Sequence, residues 1–139
     1  MRVRQERTGW RDLRLNDRHR LWGWDCPATD IDEFVEYDNG KAAALIEYKN
    51  EYAQVVYPTN TNRRALVDVC DRARLPCFGV RYADNFAWWR ITPLNDEARR
   101  VITGCVQMSE REYVAFLYKL RGREAPADVL ERVSDVTGF

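Results

Sequence analysis

The sequence predicts an α/β domain: a mixed central β-sheet built around a hairpin, flanked by helices, with a helical extension towards its C-terminal end. Three observations predict it. Asn39-Gly40 separates two apolar-rich runs, and Asn-Gly is the strongest two-residue hairpin signal because both turn positions need positive φ. A helix-period segment and then an alternating run follow the hairpin, so a crossover helix joins strands of one sheet. After Pro93 the apolar spacing turns helical. A chain of 139 residues with 45% hydrophobic content suits one globular domain, 1–139. Its core spans about 10–91 and its C-terminal helices about 96–135.

Trp10 and Leu13 in a polar surround predict a short helix over 10–19. Leu21, Trp22 and Trp24 read as a short strand before the Cys26-Pro27 break. The hairpin strands cover about 29–38 and 41–50. A helix over 61–74 follows from Leu66, Val67, Cys70 and Ala73 on one face, with Asn60, Thr61 or Asn62 as its cap. Phe78, Val80 and Tyr82 alternate as a strand, Asp84-Asn85 turns, and 86–91 forms another strand. A short helix spans 96–102. Ser109 and Glu112 form a capping box that opens a helix over 110–121, stopped by Gly122. Pro126 starts the last helix, with Val129, Leu130 and Val133 inward.

The net charge is zero, but its distribution is uneven. Residues 1–20 hold seven arginines against three acids, whereas residues 21–60 hold eight acids against Lys41 and Lys49. A basic arm beside an acidic pocket suits a protein that handles phosphodiesters, although the arm could equally pair with the acidic strands. The four cysteines have no zinc-knuckle spacing, and there is one histidine. Reduced, mostly buried thiols in a cytoplasmic protein are the expectation, with no signal region and no membrane span.

Counting outward from Asn39-Gly40 sets Asp38 opposite Lys41, Glu36 opposite Ala43, Phe34 opposite Leu45, Asp32 opposite Glu47 and Asp30 opposite Lys49. Like charges directly opposite destabilise a sheet. A Mg²⁺ (or Mn²⁺) ion would turn the cost of Asp32 against Glu47 into an attraction, because it takes hard oxygen ligands. On this reading Glu47→Gln leaves the metal-free protein no less stable. Asp32, Glu47 and the Tyr48 backbone carbonyl are the candidate metal ligands, with Asp30 assisting. Lys49 would sit beside the ion to orient or deprotonate water and steady charge on a phosphate. The only lysines are Lys41, Lys49 and Lys119 in an arginine-rich chain, which singles out Lys49 as a compact point charge. Glu36 and Asp38 read as solvated hairpin charges, and Glu51 as a more distant support for Glu47. Arg18, His19, Arg20, Arg63 and Arg64 are candidate nucleic-acid contacts. The tryptophans read as core or helix-to-sheet packing.

Asp30-Ile31-Asp32 followed by Glu47-Tyr48-Lys49 resembles the motif of the PD-(D/E)xK nuclease superfamily, with its restriction-endonuclease-like fold. The likeness is to small phage or bacterial resolvase and repair-type nucleases, and it covers about 10–91. Pro27 does not directly precede the acid, so Asp30 and Asp32 both remain candidates for the first ligand. The resemblance implies a core of one helix, three strands, a helix and a fourth strand. It also implies an enzyme: a Mg²⁺-dependent DNA endonuclease with Asp32, Glu47 and Lys49 as catalytic residues. A domain this small could dimerise to reach both strands of a duplex. The alternatives are a catalytically silent module of the same build that binds nucleic acid or a protein partner, and an unrelated α/β binding domain.

Overall fold

Asn39 and Gly40 turn the hairpin in the computed structural model, with φ of 55° and 81°, as a two-residue turn of this type requires. The structure describes residues 13–23, 25–27 and 33–133. The chain divides into two compact units, Met1–Asp30 and Ile31–Phe139. In the first, α1 spans Leu13–Arg20. The strand expected at 21–24 is not formed over its described part: Leu21 and Trp22 make a turn, donating their amides to the Arg18 and His19 carbonyls at 3.0 Å.

The second unit runs β1 (Phe34–Asp38), β2 (Lys41–Asn50), α2 (Thr61–Ala73), β3 (Cys77–Tyr82), β4 (Trp89–Pro93), α3 (Asp96–Arg99), β5 (Val106–Met108), α4 (Glu110–Leu120) and α5 (Ala127–Arg132). The five strands form one mixed sheet in sequence order. β2 and β3 are parallel, joined by the α2 crossover, and every other neighbouring pair is antiparallel. The α/β class and the mixed sheet are therefore as expected. β5 was not expected; three residues are too few to show alternation. β4 begins at Trp89 rather than at 86, because Asp84 to Ala87 are spent on the turn and Phe86 takes φ 62°.

Caps fix the helix ends. Asn60 accepts the Arg63 amide at 3.1 Å, and the Ser109–Glu112 capping box is complete. Asn95 does more than cap α3. Its Oδ1 accepts the Ala98 and Cys77 amides, both at 3.0 Å, and its Nδ2 donates to the Leu75 carbonyl at 2.8 Å and to Asp71 Oδ1 at 3.1 Å. One buried amide thus ties the end of α2, the start of β3 and α3 together.

The sheet buries both faces. Ala44, Ile46, Phe78, Val80 and Ile91 pack under Tyr113 and Phe116 of α4, while Leu45 and Cys77 pack under Leu66 and Cys70 of α2. The expectation of mostly buried thiols holds for Cys70 and Cys77; Cys26 and Cys105 are exposed, and all four are unbridged. On the α4 side the Tyr48 and Tyr113 hydroxyls share a hydrogen bond of 2.6 Å, and Tyr113 stacks on Trp89 at 4.9 Å. Burial pushes the Tyr48 hydroxyl up to about 12, and burial with the nearby Tyr48 raises Tyr113 as well. Unfolded tyrosine ionises near 10. Both groups therefore contribute stability that is fully present below about pH 10 and declines as pH rises above it, the Tyr48 share being lost through about pH 12. Thermal unfolding followed across that window should show a falling midpoint for the wild type. The Tyr48→Phe/Tyr113→Phe double variant should fall less steeply, and an equal slope would remove the pair as a cause.

Candidate functional site

The hairpin register decides which acids meet. Asp38 pairs with Lys41 and Tyr37 with Ala42, as the turn dictates, but Glu36 pairs with Ala44, Val35 with Leu45 and Phe34 with Ile46. A bulge at Ala43 has slipped β1 by one residue, and a one-residue slip moves every following side chain to the other face. The expected pairs Glu36–Ala43 and Phe34–Leu45 are thereby corrected. The slip sets the Phe34 ring edge-on to Tyr48 at 5.0 Å and lets Glu36 pair with Arg121 at 2.8 Å. Asp38 pairs with Arg123 at 3.0 Å. These two hairpin acids, read from sequence as solvated charges, anchor the segment that follows α4.

Glu47 and Lys49 point to the α2 side of the sheet. Strand pairing sets them in two cross-strand rows: Glu47, Gly79 and Thr92 in one, and Lys49, Arg81, Arg90 and Gln107 in the next. Gly79 puts no side chain between Glu47 and Thr92. The rows help to line a cleft of about 1110 Å³ whose wall includes Arg63 and Arg64 of α2. The Tyr48 side chain belongs to the opposite face, in the aromatic cluster. With β1 slipped, the alternation that puts Val35 beside Leu45 brings Glu33 to the Glu47 side. Asp30 and Asp32 lie outside the described residues.

Glu47 is held by the Arg63 guanidinium, with the two side chains only 11% and 13% exposed. Arg63 is a candidate nucleic-acid contact by sequence; the crossover brings the first turn of α2 over β2 and sets its guanidinium against the Glu47 carboxylate. The Arg63 Nε atom is buried and has no hydrogen-bond partner among the described residues. Lys49, Arg64 and Arg90 form no ion pair with a described carboxylate; Arg90 instead donates to Gln107 at 3.0 Å and covers the Trp88 ring at 4.4 Å. Arg81 donates to the carbonyls of Asn50 at 3.0 Å, Ala53 at 2.8 Å and Gln54 at 3.2 Å. Its guanidinium clamps the loop leaving β2, a role with no local signal along the chain. Glu51 accepts the Asp84 amide at 3.1 Å, bracing the same loop.

The Glu47 carboxylate is a hard oxygen donor at the wall of the cleft, and such a donor fits Mg²⁺. Among the described residues no group of three or more His, Cys, Asp or Glu side chains gathers as a metal site. Arg18, His19 and Arg20 belong to α1 of the first unit, where the His19 ring lies against Trp22 at 4.7 Å and Arg20 reaches Asp17 at 3.9 Å. No helix among the described residues is long and apolar enough to cross a membrane. No significant match emerges from comparison of the chain with known protein-family models, with curated proteins or with solved structures.

Proposed function

We propose that the protein is a metal-dependent nuclease that hydrolyses phosphodiester bonds of DNA in the β2–α2 cleft. The observation that carries this reading is the placement of Glu47 and Lys49 side by side on β2, the strand that pairs in parallel with β3, facing a cleft where Lys49, Arg64 and Arg90 have no carboxylate partner among the described residues. The reading is supported by Glu-x-Lys on β2, between an antiparallel partner, β1, and a parallel one, β3, reached through the α2 crossover; of the three strands that the resemblance implies before that helix, two are formed among the described residues. Glu47 would hold Mg²⁺ together with Asp32, Asp30 and the Tyr48 carbonyl. A bound ion would supply Lewis-acid chemistry at the phosphate and at the attacking water. Lys49 faces the same space without an ion-pair partner among the described residues, so its charge is available to developing negative charge on a phosphate oxygen. Arg64 and Arg90 supply further positive charge along the cleft.

A second reading, a module that binds nucleic acid without cutting it, is favoured by one specific contact. Arg63 already occupies the Glu47 carboxylate. A panel of labelled duplex, single-stranded, flap and four-way-junction DNAs, incubated with Mg²⁺, Mn²⁺ or EDTA, separates the two. Wild-type protein should cut at least one of them with metal and none with EDTA. Lys49→Ala should lower the rate by about 10²- to 10³-fold, the usual loss when one charge-stabilising group is removed. Binding without cleavage by pure protein, or a Lys49→Ala variant as fast as wild type, would leave the silent module as the better account.

A further inference from the structure

The loop leaving β2 presents large rings that the fold does not use. Tyr52 is 79% exposed and Tyr57 is 67% exposed. Exposure of this kind is ordinary on a mobile tip, but this loop is braced. Arg81 commits its guanidinium to four carbonyls, of Asn50 at the end of β2 and of Glu51, Ala53 and Gln54 in the loop; the Asn50 side chain bonds both the Tyr52 amide at 3.0 Å and Asp84 at 3.1 Å, and the Tyr57 carbonyl accepts the Asn60 amide at 2.9 Å. Rings held out into water on a fixed backbone lose little further conformational freedom on binding, so a partner that covers them gains nearly the whole of the contact.

The same segment lines the cleft with Val55, Val56 and Pro58. The charge of that cleft says what the partner carries. Of its acids, Glu47 is neutralised by Arg63 and Asp68 pairs with Arg72 at 2.8 Å, while Asp71 accepts from Asn95 at 3.1 Å. Lys49, Arg64 and Arg90 have no carboxylate partner among the described residues, so positive charge is left over. A ligand with repeated anionic groups and flat apolar faces meets both features. In a duplex those faces are stacked inside the helix; in a single strand they are free to stack on protein rings.

We infer that residues 51–60 form a stacking platform for the unpaired bases of a single-stranded nucleic acid whose phosphates follow Lys49, Arg64 and Arg90. This rests on the reading of the cleft as the nucleic-acid site, and its test is kept separate from cleavage. Fluorescence anisotropy in EDTA compares a labelled oligodeoxythymidylate with a duplex of the same length. The wild type should prefer the single strand. Tyr52→Ala/Tyr57→Ala should weaken that binding about tenfold or more, the usual consequence of losing base–ring stacking, while Tyr52→Phe/Tyr57→Phe keeps it, because the ring faces remain. Both substitutions are at exposed positions, and unchanged thermal unfolding confirms intact folding of each variant. Failure to bind either DNA, duplex bound as tightly as single strand, or the double Ala variant binding like wild type would each overturn the platform. Ring-dependent binding by a protein that never cuts would support the platform while defeating the nuclease reading. Metal-dependent cutting of duplex with ring-independent binding would do the reverse.

Discussion

Asn95→Ala should lower the unfolding free energy by about 3 kcal/mol or more, since it removes a helix cap and strips partners from several buried backbone groups at once. The Cys77 and Ala98 amides lose their acceptor, and the Leu75 carbonyl loses its donor. An alanine methyl replaces none of these, and the site is too enclosed for water to replace them freely. Asn95→Asp keeps the acceptor but sets a second carboxylate beside Asp71, so it should be destabilised as well and recover partly at low pH, where one of the two acids is protonated. Urea unfolding of the three proteins at neutral and acid pH measures both effects. A loss below about 1 kcal/mol for Asn95→Ala would mean that the cap is a surface feature of ordinary strength.

Breaking the Glu47–Arg63 pair from either side should have the other large effect. Both side chains are nearly buried, and removing one partner of such a pair leaves an uncompensated charge that costs about 3–5 kcal/mol. Arg63→Met and Glu47→Ala should both be destabilised by about that amount without metal, and Glu47→Gln by less, because its amide oxygen still accepts from Arg63. The sequence alone suggested that Glu47→Gln would cost nothing, on the ground that Asp32 repels Glu47; the ion pair from α2 reverses that expectation. The two sides should then part company on adding Mg²⁺. If Glu47 is a ligand, Arg63 competes with the ion for the same carboxylate. Arg63→Met should bind Mg²⁺ about tenfold more tightly or better, a change of about 1.4 kcal/mol, and should regain stability as metal is added. Both Glu47 variants should lose that response. Calorimetric titration and thermal unfolding with and without Mg²⁺ read the split. Equal Mg²⁺ response in wild type and Arg63→Met would show that the ion is not held by Glu47.

Local signals that need no partner were legible in the sequence. The Asn39-Gly40 turn, the bounds of β2, the α2 helix with a cap among Asn60, Thr61 and Asn62, and the Ser109–Glu112 box all rest on contacts within a few residues, and all are found in the structure, the α2 cap at Asn60. The Glu47-x-Lys49 spacing already placed both side chains on one side of a strand, because side chains alternate wherever a strand goes. Three other features depended on what lies across the sheet. The Ala43 bulge reverses the outward count of β1 from Glu36 on; a turn fixes the register only as far as the first irregularity, and here the slip joins Glu36 to Arg121, 85 residues away. Arg63 meets Glu47 only because the crossover lays α2 over β2, and nothing in the spacing of 47 and 63 encodes that meeting. Asn95 reads locally as an ordinary helix cap; its bonds to Cys77 and Leu75 exist because β3 and α2 end beside it. The sequence by itself determined the hairpin turn, the β2 strand, the crossover helix and the capped α4 helix, because each is specified by neighbours along the chain; β5 and the start of β4 carry no such local signal. The tertiary structure decided which charges neutralise one another and which stay available in the cleft, since ion pairing depends on distances that only packing sets.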